Sequence, residues 1–213
     1  MTSIPAERPT RRRYPLWLII ATAAASLATV AVPYLLFGLT EEGYKLAARY
    51  TVRVSFPLFL LTYMARPLAQ LWRRDETRWL LRNRRYLGLS FALAHTVHLA
   101  ALTAFFVFTP ATPAMATVIG GGLGYALMFA MAATSNDASV RALGRNWNRL
   151  HTAGMHYLWF IFAFSYYGRL SGGRGEGAAG DLMEVGLAGF TLSMAALALR
   201  LAAAWHRRRK RAA

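Results

Sequence analysis

Four histidines lie inside long apolar stretches of this sequence. His95 and His98 belong to "RRYLGLSFALAHTVHLAALTAFF", and His151 and His156 belong to a second apolar stretch further along the chain. Ionisable side chains are costly inside membrane-spanning segments, and those that occur there are usually functional. These four histidines are therefore the candidate functional residues.

The spacing within each pair predicts which way the imidazoles point. His95 and His98 are three residues apart and share one helix face. His151 and His156 are five apart, about 140° around a helix axis, so they point in different directions. Two neutral imidazoles on facing helices are the axial ligands of a b-type haem. The residues alone leave three roles open: haem ligation, a proton or substrate path, and helix packing.

Several other kinds of chemistry are not favoured. The chain has no cysteine, which excludes disulfides, thiol catalysis and iron–sulfur clusters. A catalytic zinc site is not expected, because the nearest acid to the histidines, Asp137, falls in a predicted loop. No βαβ pattern or glycine-rich strand–helix turn is found, so we expect no flavin or nicotinamide domain.

The elements that position the histidines are predicted to be membrane-spanning helices. A bilayer core takes roughly 20 apolar residues as a helix, and 56% of the 213 residues are hydrophobic. Six stretches qualify: 15–39, 52–72, 86–108, 114–134, 150–167 and 182–205. The predicted fold is an all-α integral membrane bundle of six transmembrane helices. It comprises a cytoplasmic segment 1–14, a transmembrane domain 15–205 and a basic tail 206–213.

The charges alternate between the connections. The formal net charge is +16, and nineteen of the 25 Lys and Arg residues lie in four places: the N-terminal segment, connections 66–85 and 135–149, and the tail. By the positive-inside rule, both termini are predicted to be cytoplasmic. The tail "HRRRKR", which begins with the fifth histidine, His206, is interpreted as an interfacial anchor beside anionic lipid. Membrane lipid is thus an expected partner and nucleic acid is not.

A longer motif carries a family resemblance. The stretch "TSNDASVRALGRNWNRLH", residues 134–151, precedes a helix containing "HYLW". "RRYLGL" opens the third span, and "ARYTVRV" and "ARPL" occur in the second. Together they resemble the ferric reductase-like transmembrane superfamily, nearest its MsrQ-type haem-binding membrane subunits. The resemblance covers about residues 45–167. It implies a six-helix protein of the bacterial inner membrane that carries electrons through haem b.

The resemblance also implies roles for particular residues. His98 stands at the family's distance from "LGL" and matches its span-three haem ligand, and His151 matches the first histidine of span five. Arg85 matches the basic residue near the cytoplasmic haem position. The family's second span-five histidine follows the first by about thirteen residues, where this chain has Phe164.

Two histidines depart from the family pattern. His156 lies nearer the start of its helix than the family's second histidine, and His95 has no counterpart. Depth counted along the helices favours a His95–His156 pair, whereas the family pattern favours His98 with His151. All four stay candidate axial ligands, for one haem or two.

The predicted function is transmembrane electron transfer within an oxidoreductase. The donor would be a separate cytoplasmic flavin reductase or a quinol, so that flavin or quinone comes from a partner, and the acceptor would be extracytoplasmic. A competing hypothesis is a small membrane transporter or scaffold in which the histidines handle protons or pack. A third is that the family fold is kept without haem.

Overall fold

The computed structural model describes residues 15–171 and 183–212, and the regular structure in these residues is entirely α-helical. This confirms the all-α fold class. The predicted cytoplasmic segment 1–14, with its arginines, lies outside the described residues, as does the glycine-rich connection beyond residue 171.

Eight helices make up the described part of the chain. They are α1 (Leu16–Phe37), α2 (Glu41–Leu71), α3 (Asp75–Arg82), α4 (Arg84–Phe108), α5 (Met115–Ala133), α6 (Asp137–Leu143), α7 (Arg145–Leu170) and α8 (Met183–Ala212). Six of them are long, and each largely coincides with one predicted span. The short helices α3 and α6 lie in the two basic connections, which were predicted as loops.

Four of the long helices, α1, α4, α5 and α8, are long and apolar enough to cross a membrane. Helices α2 and α7 have a similar length but carry more polar residues. The first half of α2 contains acidic and basic side chains, and α7 contains arginine, asparagine, histidine and tyrosine. The structure thus supports a multi-pass membrane protein, while the count of six spans and the cytoplasmic termini stay predictions.

The basic connections and the tail lie at one end of the bundle, which we call the basic end. Trp17 at the start of α1 stacks on Trp79 of α3, with ring centroids 6.4 Å apart. Arg207, in the tail, donates a hydrogen bond of 3.0 Å to Gln70 near the end of α2. At the opposite end, the ring of Tyr44 contacts the last turns of α1 and α4. The long helices therefore alternate in direction, as expected for successive crossings.

Helix α2 forms the centre of the bundle and packs against α1, α4 and α8. Its fully buried Phe59 contacts Phe91 of α4 and Phe162 of α7, with ring centroids 5.4 and 4.9 Å apart. Aromatic pairs at such distances add to the stabilisation from burial. This aromatic core fixes how α2, α4 and α7 are rotated against one another, and so fixes where the α4 histidines point.

Pro67 interrupts the hydrogen bonding of α2 near the basic end. Proline has no N–H, so the carbonyl of Tyr63, four residues earlier, loses its helical partner. Arg200 of α8 donates from Nη1 to this carbonyl at 3.0 Å, and its guanidinium lies 4.3 Å from the centre of the Tyr63 ring. Helix α8 thus supplies the donor that α2 lacks.

Candidate functional site

The two α4 histidines face hydroxyl groups of α2. Nδ1 of His98 lies 2.9 Å from Thr51 Oγ1, and Nδ1 of His95 lies 3.0 Å from Ser55 Oγ. Thr51 and Ser55 are four residues apart, so they share a face of α2 just as the histidines share a face of α4. The two imidazoles are neighbours, with ring centroids 5.2 Å apart.

The Thr51 hydroxyl determines the tautomer of His98. Its oxygen lies 2.9 Å from the Ala47 carbonyl and 3.1 Å from the Ala48 carbonyl, which can only accept. A hydroxyl has one proton to donate, and here it is donated to the helix backbone. Thr51 Oγ1 therefore accepts from the ring, and Nδ1 of His98 carries the proton.

Ser55 and His95 repeat this arrangement one turn nearer the basic end. The Ser55 hydroxyl donates to the Val52 carbonyl at 3.2 Å, so its oxygen accepts from Nδ1 of His95. In the neutral form of each histidine, Nε2 then keeps its lone pair. A hydrogen bond from one ring nitrogen that fixes the other for a metal is the usual arrangement of metal-binding histidines.

Aromatic rings from three helices surround His95. Its ring stacks on Tyr125 of α5 at a centroid distance of 4.9 Å and contacts Phe91 of its own helix at 5.2 Å. Phe162 of α7 lies 5.4 Å away. Four helices therefore meet at this residue, near the middle of α4. The polar groups that the described contacts place beside His95 are the Ser55 hydroxyl, the His98 ring and Tyr125.

His156 belongs to a different cluster, formed by α2, α7 and α8. Its Nδ1 lies 3.1 Å from the hydroxyl of Tyr63, and its Nε2 lies 3.5 Å from Nη2 of Arg200. A guanidinium only donates, so Nε2 accepts and the proton lies on Nδ1. The lone pair of His156 is therefore directed at Arg200.

His151 lies at the basic end, between the end of α5 and the start of α7. Its Nε2 is 3.3 Å from Thr134 Oγ1, whose own proton is donated to the Ala130 carbonyl at 2.7 Å. The ring stacks on Trp147 at 4.0 Å. The proton of His151 thus lies on Nε2, opposite to the α4 histidines, and its free lone pair is on Nδ1.

The structure does not bring an α4 histidine together with an α7 histidine. Phe162 is level with His95, and His156 and His151 precede Phe162 by six and eleven residues. At 1.5 Å per residue they lie about 9 and 16 Å nearer the basic end, and His98 lies further still from His151. Two axial nitrogens on one iron are only about 4 Å apart, since a metal–nitrogen bond is about 2 Å. The ligand roles of all four histidines stay predictions.

Arg85 pairs with an acidic residue rather than contacting a histidine in the described structure. Its guanidinium forms an ion pair with Asp137, and both residues are exposed at the basic end. Asp137 begins α6 and was expected in a loop. This pair joins the start of α4 to α6. Arg85 lies at the basic end, and its role near a haem stays a prediction.

The hydroxyl partners were missed from the sequence. Thr51, just before the second predicted span, and Ser55, inside it, have a four-residue spacing, which was a usable signal of a polar stripe. Serine and threonine often return their proton to their own helix backbone, as both do here. Only the packing of α4 against α2 shows that these two hydroxyls are the partners of histidines.

The donor set of the α4 site fits a haem better than a bare metal ion. Among the described residues, no group of three or more His, Cys, Asp or Glu could hold a metal ion. A porphyrin brings four ring nitrogens of its own and requires one or two axial ligands from the protein. Neutral imidazoles with protonated Nδ1 and free Nε2 are suited to that role.

The fold and the site define a class: a multi-pass helical membrane protein with hydrogen-bonded histidines in its interior. Comparison with known proteins gives the family. The haem-binding subunits MsrQ of protein-methionine-sulfoxide reductase from two Klebsiella pneumoniae strains are each 32% identical over 148 residues. That alignment covers 59% of this chain and 71% and 72% of theirs. The chain belongs to the MsrQ family.

A third relative agrees with this assignment. The MsrQ of Cronobacter sakazakii is 31% identical over 128 residues, which is 53% of this chain and 62% of the relative. No protein-family model and no solved structure gives a match. The family assignment therefore depends on these relatives, and it confirms the resemblance seen in the sequence.

Proposed function

We propose that this chain is a haem-binding subunit that transfers electrons across the bacterial inner membrane through b-type haem. One observation carries the proposal: the Nδ1 atoms of His95 and His98 are hydrogen-bonded to α2 hydroxyls, which would leave Nε2 of each neutral ring to bind iron. The relatives, named as haem-binding subunits, support it.

The chain's own residues would orient and shield the group. A bound haem supplies a one-electron carrier whose potential depends on its axial ligands and burial. His98, with His95 beside it, would provide nitrogen to the iron, while Thr51 and Ser55 fix the orientation of the rings. Either His151 or His156 would serve a second haem nearer the basic end, but not both, because they point in different directions from α7.

The proposed topology has six spans and cytoplasmic termini. Helices α2 and α7 would complete the bundle, with the basic end on the cytoplasmic side. The contacts that gather the basic connections and the tail at one end support this arrangement. The more polar start of α2 would then lie at the extracytoplasmic surface.

The proposed partners are a separate electron donor and a separate acceptor. The donor is a cytoplasmic flavin reductase or a quinol, and the acceptor is an extracytoplasmic reductase. The relatives' names point to a protein-methionine-sulfoxide reductase as that acceptor. The chain would thus act as the electron-transfer subunit of an oxidoreductase.

The proposal can be tested with liposomes that contain the haem-loaded protein and entrap ferricyanide. With dithionite added outside, we expect ferricyanide inside to be reduced much faster than in empty liposomes. His98→Ala should slow this reduction, and His206→Ala, at the end of α8, should not. A wild-type rate equal to that of empty liposomes would exclude electron transfer across the membrane by this chain.

A further inference from the structure

Three arginines from three helices converge at the basic end: Arg66 of α2, Arg84 of α4 and Arg200 of α8. We call them the arginine cluster. Arg84 donates from Nε to the Thr62 carbonyl at 3.2 Å, and Arg200 donates from Nη1 to the Tyr63 carbonyl at 3.0 Å. These carbonyls are consecutive in α2, so the two guanidiniums are neighbours. Arg66 lies four residues after Thr62, one turn further along the same face of α2, and its charge adds to theirs.

Most N–H groups of the arginine cluster are not used by the described residues. A guanidinium has five N–H donors. The hydrogen bond of Arg84 in the described part of the chain uses Nε alone, and Arg200 uses Nη1 and, toward His156, Nη2. The anchored guanidiniums therefore offer further donors in fixed directions.

The ion pairs found at this end of the described chain involve other arginines. Asp75 pairs with Arg78, and Asp137 pairs with Arg85. Like charges held close together in a partly buried setting repel each other, and an anion between them would remove that cost. The cluster thus has the charge of an anion site.

Capping of the helix backbone explains only part of the arrangement. Pro67 frees the Tyr63 carbonyl, which accounts for the position of Arg200. The missing N–H of Pro67 does not account for Arg84, because the Thr62 carbonyl that Arg84 contacts already has its helical donor. It does not account for the exposed Arg66 either. The positive-inside rule explains why arginines are frequent at this end, and anion binding would explain why Arg84 is held beside Arg200.

We propose that the arginine cluster binds the phosphate group of an anionic phospholipid from the cytoplasmic leaflet. Guanidinium groups match phosphate oxygens in geometry and charge. Arg200 lies seven residues before Arg207 of the tail, about 10 Å deeper along α8, and Arg66 is exposed on the outside of the bundle. The cytoplasmic leaflet is rich in anionic lipid. The inference depends on the proposed topology, not on haem.

The test is native mass spectrometry of the purified full-length protein with phosphatidylglycerol or phosphatidylcholine added. We expect the wild type to retain phosphatidylglycerol in preference. Arg66→Gln and Arg84→Gln should each reduce the retained amount several-fold. Arg73→Gln removes the same charge from an exposed residue outside the cluster and should behave as wild type. Arg66→Gln keeps the test valid if Arg84→Gln fails to fold, because no backbone carbonyl depends on Arg66 in the described contacts.

Two results would overturn the lipid site. Equal losses in Arg73→Gln and Arg66→Gln would show a general effect of charge. Thermal stabilisation by inorganic phosphate that depends on Arg66 and Arg84, without preference for phosphatidylglycerol, would assign the site to soluble phosphate. Haem content is measured on the same samples. A colourless protein with cluster-dependent lipid binding would contradict only the proposed function, and a haem protein without such binding would contradict only this inference.

Discussion

Thr51 is the residue on which the geometry of His98 depends. Its hydroxyl proton is donated to the backbone of α2, so its oxygen is left to accept from Nδ1. Partners of this kind orient a metal-binding histidine and raise the basicity of the other ring nitrogen. In the proposed site, His98 would therefore bind the iron and Thr51 would hold the His98 ring in position.

Replacing Thr51 by valine tests this role. Thr51→Val keeps the shape of the side chain but removes the hydroxyl oxygen that accepts from Nδ1–H of His98. Loss of such a partner typically weakens metal binding by about ten-fold or more. We expect lower haem occupancy and a more positive midpoint potential in a redox titration.

Thr51→Ser is the matched control, because it keeps the hydroxyl. It should retain both the occupancy and the potential of the wild type. If Thr51→Val and Thr51→Ser behave alike, the hydroxyl does not position His98.

At this scale the sequence predicts the histidines but not their surroundings. Imidazoles in apolar stretches stand out by type, so the sequence suggests all four as candidates, and their roles stay predictions. Their neighbours depend on how each helix is rotated, which one helix alone does not determine. For that reason neither the Thr134 partner of His151 nor the Arg200 partner of His156 could be predicted.

Among the elements, α2 shows how far hydropathy can locate a helix. The predicted span begins at residue 52, whereas the helix begins at Glu41 after the N-cap Thr40. The Thr40 hydroxyl accepts from the backbone N–H of Gly43 at 3.3 Å, and two glutamates occupy the first turn. These are ordinary helix-start signals. Hydropathy misses them because it finds the lipid-facing part of a helix, not the helix itself.

The contact between α2 and α8 gives a prediction about stability. Arg200→Met removes the donor to the Tyr63 carbonyl, and leaving a buried carbonyl unsatisfied costs about 1–3 kcal/mol. Pro67→Ala restores a backbone N–H at the correct position. Arg200→Met should therefore lower the unfolding temperature clearly in the wild type and less in the Pro67→Ala background. Thermal denaturation of the four detergent-purified proteins measures this cycle.

Additive effects would contradict this account. If Arg200→Met costs the same with and without Pro67, the arginine does not substitute for the missing N–H. Its contribution would then come from the Tyr63 ring or from His156.

For the whole molecule, the charge pattern predicts a topology, and the folded contacts show that the described basic segments share one end of the bundle. The chain has no cysteine, so single cysteines can report sidedness directly. Thr112→Cys lies between α4 and α5, and Ala138→Cys lies in α6 at the basic end; both positions are exposed. In intact cells we expect a membrane-impermeant maleimide to label the first and not the second. Labelling at Ala138→Cys alone would invert the proposed orientation.

The relative depths of the four histidines in the bundle could not be predicted from the sequence. Family resemblance favoured His98 with His151, and depth counting favoured His95 with His156. Packing places the α4 pair near the middle of the bundle and the α7 histidines about 9 Å or more nearer the basic end. Contacts between helices decide this, and they depend on residues such as Phe59 and Phe162 that look like ordinary core residues in the sequence.

The most direct measurement is the absorption spectrum of the detergent-purified protein, oxidised and dithionite-reduced, with pyridine haemochrome quantification. The account predicts sharp reduced bands of b-type haem, at one or two haems per chain. His98→Ala should lower the haem content, while His206→Ala should match the wild type. A folded wild-type protein that stays colourless when expressed with ample haem would contradict the account and leave the histidines a role in packing or proton handling.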